Sequence, residues 1–84
     1  MYQVEIGRTA QHQIGALPAG TAQRIRAAIG GLADEPRPSG VKKLQGEPVL
    51  WRIRVGSFRV VYSIDDAART VTIVKVADRR DVYR

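Results

Sequence analysis

Three arginines flanking a two-residue turn carry the chemistry available to this chain. The run Trp51-Arg52-Ile53-Arg54-Val55-Gly56-Ser57-Phe58-Arg59-Val60-Val61-Tyr62 reads as two strands joined by a Gly-Ser turn. Side chains alternate across a strand, so Trp51, Ile53 and Val55 share one face and Arg52 and Arg54 the other. After the turn, Phe58, Val60, Tyr62 and Ile64 continue the apolar row, and Arg59 falls opposite it. A half-buried sheet needs its apolar rows. It does not need converging guanidinium groups, which match an anionic ligand, phosphate first among them. Taken alone, charges on the wet side of a strand also serve simple solubility.

Bulk composition agrees with an anionic partner. The 84 residues include fourteen Lys and Arg against eight Asp and Glu, a formal charge of +6, with a pI near 10.5. A basic balance of this size is the first mark of nucleic-acid binding. It is also uneven, because ten of the fourteen basic residues but only five of the eight acidic ones lie in residues 41–84. There is no cysteine and one histidine, His12, which leaves no thiolate or His-rich metal site; His12 is expected on a helix surface without a role. The opening Met1-Tyr2-Gln3-Val4-Glu5-Ile6 resembles neither a secretory leader nor a membrane span, so a soluble cytoplasmic protein away from membranes is expected.

The elements that position the arginines follow from periodicity. Tyr2, Val4 and Ile6 alternate with polar positions as a first strand. Thr9 is expected to cap a short helix whose apolar contacts are Ala10, Ile14 and Leu17. A second helix runs from about 18–21 to Ala33, with Ala22, Ile25, Ala28, Ile29 and Leu32 as its stripe, Arg24 and Arg26 off it, and Gly30-Gly31 weakening its end. Residues 34–40 form a loop, and Val41-Lys42-Lys43-Leu44 leads into a Gly46-Glu47-Pro48 turn. Asp65 and Asp66 read as turn residues, and Thr70–Val76 is a β-branched strand. One domain over residues 1–84 fits this length. The expected fold is α+β: two N-terminal helices on one face of a small twisted antiparallel sheet, in the order β-α-α-β-β-β. The opposite face then presents Arg52, Arg54 and Arg59, and the tail can bring Arg79, Arg80 and Tyr83 to its rim. Lys42 and Lys43 read as non-specific phosphate contacts or a solvated loop, Trp51 and Tyr62 as core.

Element order, the aromatic-Arg-x-Arg run, the glycine turn, Phe58-Arg59-x-x-Tyr62 and the closing Asp78-Arg79-Arg80-Asp81-Val82-Tyr83-Arg84 resemble the RelE family of the RelE/ParE toxin superfamily, over essentially the whole chain. The resemblance implies the toxin of a type II toxin–antitoxin pair. It implies entry into the ribosomal A site and cleavage of the messenger there by the ribose 2′-hydroxyl, without metal or other cofactor, so that translation stops. By position it implies paired basic residues at Arg52 and Arg54, a phosphate clamp at Arg59, a C-terminal arginine at Arg79 and a base-stacking tyrosine at Tyr83. Lys42, Lys43 and Arg80 stand beside these as RNA-contact candidates by their charge alone. The implied partners are a cognate RelB-like antitoxin, the ribosome with its message, and operator DNA only through the antitoxin.

Two departures bear on mechanism. Arginine stands where relatives usually carry the paired lysines, and a guanidinium does not release its proton near neutrality. Asp78 stands where many relatives have histidine. Asp78, Glu47, Tyr83 or a ribosomal group remain for proton transfer. The same fold also serves ParE-like inhibitors of DNA gyrase, and a weakened toxin would act mainly as antitoxin partner and co-repressor.

Overall fold

A computed structural model describes residues 1–78, and Arg79, Arg80 and Tyr83 lie outside the described residues. The chain runs β1 (Gln3–Ile6), α1 (Arg8–Gly15), α2 (Ala19–Gly31), β2 (Lys42–Lys43), β3 (Trp51–Val55), β4 (Phe58–Asp65) and β5 (Thr70–Asp78). The expected order is therefore present, with one two-residue strand added where a lead-in to a turn was expected. The strands form one sheet in the order β1-β5-β4-β3-β2. Its hairpins are antiparallel, but β1 pairs parallel with β5, Val4 beside Val71 and Ile6 beside Ile73, so the sheet is mixed rather than wholly antiparallel. Periodicity assigns a face to each strand and says nothing about its neighbour. Here the first and last strands meet, with the rest of the chain as their crossover.

Both helices lie on one face, as their apolar stripes require. Ala10 and Ile14 of α1, and Ile25 and Ile29 of α2 with Leu32, are buried against Ile53, Val60, Tyr62, Val71, Ile73 and Val76. Leu17 lies beyond α1 but packs on this core. Tyr62 is fully buried, its hydroxyl donating to the Pro36 carbonyl at 2.7 Å, and burial pushes its phenol up to about 12. That bond ties the loop after α2 to the sheet.

Thr9 does not cap α1. The helix starts at Arg8 with Gly7 as N-cap, and no side chain caps it. The reason is local: Gly7 N–H bonds the Ile73 carbonyl at 2.8 Å, and Gln11 N–H closes the first turn on the Gly7 carbonyl at 2.9 Å. A Cβ at Gly7 would sit 2.9 Å from the Ile73 oxygen, so the approach requires glycine.

The main irregularity is in β5. Val61 pairs with Lys75, whereas Tyr62 pairs with Ile73, which leaves Val74 as the extra residue of a β-bulge. Strict alternation from Ile73 would turn Lys75 and Ala77 toward the helices. The bulge instead buries Val76, 3% exposed, and sends Lys75 and Ala77 to the other face. Where β5 runs beyond β1, Gln13 of α1 closes its edge, Oε1 accepting the Val76 N–H at 2.6 Å.

Candidate nucleic-acid interface

Register sets the side chains of the helix-free face in rows. Lys42 pairs with Arg52, Arg52 with Val61, and Val61 with Lys75, giving one row across four strands. The next row is Arg54, Arg59 and Ala77. Arg52, Arg54 and Arg59 thus share a face, as expected, and Lys42 and Lys75 join them. Arg54 and Arg59 are direct cross-strand partners. Like charges placed directly opposite repel across a sheet, and nothing in strand pairing itself calls for the pair.

Arg52, Arg59 and Lys75 line one hollow of about 290 Å³, with Val61 and Ala77 as floor and Leu44 and Leu50 as apolar walls. The walls are held by the Leu44 N–H, which bonds the Leu50 carbonyl at 2.8 Å and closes the intervening loop. A face open to solvent was expected here. Arg52 is in fact only 8% exposed, because the hollow encloses its stem. A guanidinium in such low-dielectric surroundings attracts an anion more strongly than one in open water. Arginine keeps its charge there, as lysine does less reliably.

Other expected residues fall elsewhere. Lys43 pairs with Trp51 and so belongs to the opposite face, its ammonium 6.0 Å from the indole centroid. Asp78 pairs with Phe58, two residues from Val76 on the helix side, and lines a separate hollow with Gln13 and Leu17. Glu47 is exposed in the 44–50 loop and does not line the arginine hollow. His12 is exposed on α1, as expected. Among the described residues no three His, Cys, Asp or Glu side chains gather as a metal site, and no helix is long and apolar enough to cross a membrane.

Lys75 escaped the sequence reading, although a signal existed. A lysine at a position that alternation from Val71 and Ile73 gives to the core is a local contradiction, and a bulge is one way to resolve it. Asp66 escaped too. Its carboxylate accepts from Arg37 Nη2 at 2.9 Å, Arg37 Nη1 at 3.3 Å and the Tyr2 hydroxyl at 2.6 Å. The Arg37 guanidinium also lies 4.9 Å from the Trp51 ring centroid, next in sequence to Arg52. Asp66 therefore joins the residue before β1 to the post-helix loop and, through Arg37, to the start of β3.

The Arg37 and Tyr2 hydrogen bonds hold the Asp66 carboxyl below its ordinary range. Its contribution to stability is accordingly present above the unfolded-state value and lost as pH falls through the lowered folded value. The Asp66→Asn variant will melt below the parent at neutral pH, and the gap will close in acid. Thermal melts at both pH values check this, and an undiminished gap in acid would contradict it.

The family model described as the ParE toxin of the type II toxin–antitoxin system, parDE, matches residues 4–83. Among curated relatives, toxin RelG of Mycobacterium tuberculosis is 36% identical over 85 residues, spanning 99% of this chain and 97% of its own. Among solved structures, the archaeal RelE–RelB complex from Pyrococcus horikoshii OT3 matches with a TM-score of 0.82 at 30% identity, covering 93% of this chain and 94% of that one. The toxin–antitoxin complex RelBE2 of Mycobacterium tuberculosis matches with a TM-score of 0.81 at 32% identity, covering 93% and 91%.

Proposed function

The chain belongs to the RelE family of type II toxin–antitoxin toxins, within the RelE/ParE superfamily, and from that premise we propose that it is a ribosome-dependent messenger-RNA endonuclease. The observation that carries the reading is the cation set around one hollow, Arg52, Arg59 and Lys75, with Lys42 and Arg54 on the same face. The ribose 2′-oxygen attacks the adjacent phosphorus, the bond to the 5′-oxygen breaks, and a 2′,3′-cyclic phosphate and a 5′-hydroxyl result. Negative charge grows on the phosphoryl oxygens and on the leaving oxygen. Cations fixed in a partly enclosed hollow stabilise that charge without reorganising, the largest catalytic effect such a site supplies. Arg59 forks onto two phosphoryl oxygens, and Arg52, held by its buried stem, supports it. Lys75 adds an ammonium donor to the hollow, and the proton of the attacking hydroxyl leaves through a ribosomal group or Tyr83 and returns to the 5′-oxygen. The apolar walls Leu44 and Leu50 receive the base, and only RNA carries the attacking hydroxyl.

The partner that silences this activity is a RelB-like antitoxin. The RelE–RelB and RelBE2 complexes of similar fold support it, and an acidic, extended chain complements a protein of charge +6. Operator DNA is reached through that partner, and action on translating ribosomes places the protein in the cytoplasm.

The test is induced expression in cells, with 5′ ends mapped across translated messages. New ends within codons, dependent on translation, are expected. Growth arrest without new ends would sink the nuclease reading. The match to a ParE model favours a second reading, inhibition of DNA gyrase by the same fold. Loss of supercoiling activity on adding purified protein would select it.

A further inference from the structure

Two hydrogen bonds bracket the bulge in β5 from the side of α1. Ahead of Val74, the Gly7 N–H donates to the Ile73 carbonyl at 2.8 Å, and beyond it the Val76 N–H donates to Gln13 Oε1 at 2.6 Å. Backbone groups alternate along a strand as side chains do, so every second residue of β5 turns its N–H and C=O to the outer edge. Before the bulge those residues are odd-numbered, since the Arg69 and Ile73 carbonyls accept from Gln3 and Gly7. Unbroken alternation would next turn the Lys75 N–H outward and the Val76 N–H toward β4. The outward N–H is instead that of Val76, because Val74 is the extra residue. Gln13 therefore has the Val76 N–H as its donor only in the bulged register. β1 ends at Ile6, opposite Ile73, so it offers Val76 no acceptor. Val76 is buried, and an amide left there without a partner is costly.

We propose that Gln13 is a positioning residue for Lys75: by accepting the Val76 N–H it selects the bulged register of β5 and so holds the Lys75 side chain at the arginine hollow. The consequence for cleavage rests on the ribonuclease reading above, whereas the choice of register rests on hydrogen bonding alone. A shift of one residue decides both faces at once. In the bulged register Val76 is buried against the helices, and Lys75 and Ala77 line the arginine hollow. In the regular one Lys75 would point at α1 and Val76 at water. Burial of Val76 and its bond to Gln13 thus favour the same register, one through apolar area and the other through a polar partner. Gly7 fixes the strand ahead of the bulge in either register, so the choice falls to Gln13. No residue of α1 lines the arginine hollow, and its influence there passes through the phase of β5.

The test compares Gln13→Leu, which keeps the bulk and loses the acceptor, with Gln13→Glu, which keeps an acceptor oxygen at the same reach. Both are made in the full chain, released from its antitoxin. Register is read by NMR, from the exchange rate of the Val76 amide and the cross-strand contacts of Lys75 with Val61 and Val76 with Val60. Function is read as cleavage of a message under translation in vitro. In Gln13→Leu the Val76 amide will exchange about three- to tenfold faster, the contact of Lys75 with Val61 will weaken, and cleavage will fall about three- to tenfold. Gln13→Glu will restore all three. Lys75→Gln will lower cleavage about tenfold with the register unchanged. Adding Gln13→Leu to it will lower cleavage no further, the non-additivity expected of residues that act through one group. Parent-like exchange and contacts in Gln13→Leu overturn the proposal, whatever the activity. Cleavage losses that add in the double variant overturn it equally, and leave the ribonuclease reading standing. If the parent cuts no message, the ribonuclease reading fails, and the NMR comparison still decides whether Gln13 sets the register.

Discussion

Replacing Arg59 by glutamine will lower messenger cleavage about a hundred- to a thousandfold, the cost of removing one preorganised donor from a charge-stabilising site. Arg59 lines the hollow it shares with Arg52 and Lys75, and it also lines a smaller one at the β3–β4 turn with Arg54, Gly56, Ser57 and Phe58. Glutamine keeps much of the stem but neither the charge nor the planar fork. Arg59→Lys will fall between, because an ammonium restores the charge as a point and loses the second hydrogen bond. Arg54 faces Arg59 directly across the strands, so Arg54→Gln relieves like-charge repulsion and leaves the melting temperature unchanged or raised. Cut-site yield on translated messages, measured beside thermal melts, separates lost chemistry from lost folding. Parent-like cleavage by a well-folded Arg59→Gln protein would remove Arg59 from the chemistry.

Replacing Val76 by lysine is the second large effect expected. The bulge at Val74 turns Val76, 3% exposed, to the helix side, where it pairs with Val60. Loss of the buried valine side chain forfeits about 1.5–3 kcal/mol. A lysine held in the core without a partner adds several kcal/mol more. Against the roughly 5–15 kcal/mol of a typical domain, cooperative folding is lost or the melting temperature falls steeply. Lys75→Val, one residue away on the other face, will cost far less. Circular-dichroism melts of the two variants decide the matter. A Val76→Lys protein as stable as the Lys75→Val one would mean that the bulge does not set which of these residues faces the helices.

Both expectations turn on residues that local patterns treat unequally. Tyr2, Val4 and Ile6 show their buried face in any period-two reading, and so do Ile53, Val60 and Tyr62. The stripe Ile25, Ile29 and Leu32 shows the face of α2 in the same way. Arg52, Arg54 and Arg59 are placed on one side by the complement of those rows. For all these residues the pattern reports which side of an element meets water, and burial of apolar area enforces it.

The amino-acid order by itself therefore determined the elements, their inward faces and the arginine side of the central hairpin, because hydrophobic periodicity acts within one element at a time. Tertiary structure alone decided which strands adjoin. It set β1 parallel to β5, paired Lys42 with Arg52 while sending Lys43 to Trp51, and carried Lys75 through a bulge to the arginine hollow. It also laid Arg24 on Gly56 and drew Arg37 and Asp66 together from distant segments. Register and long-range pairing depend on how separate elements fit against a shared core, and no local period encodes that fit.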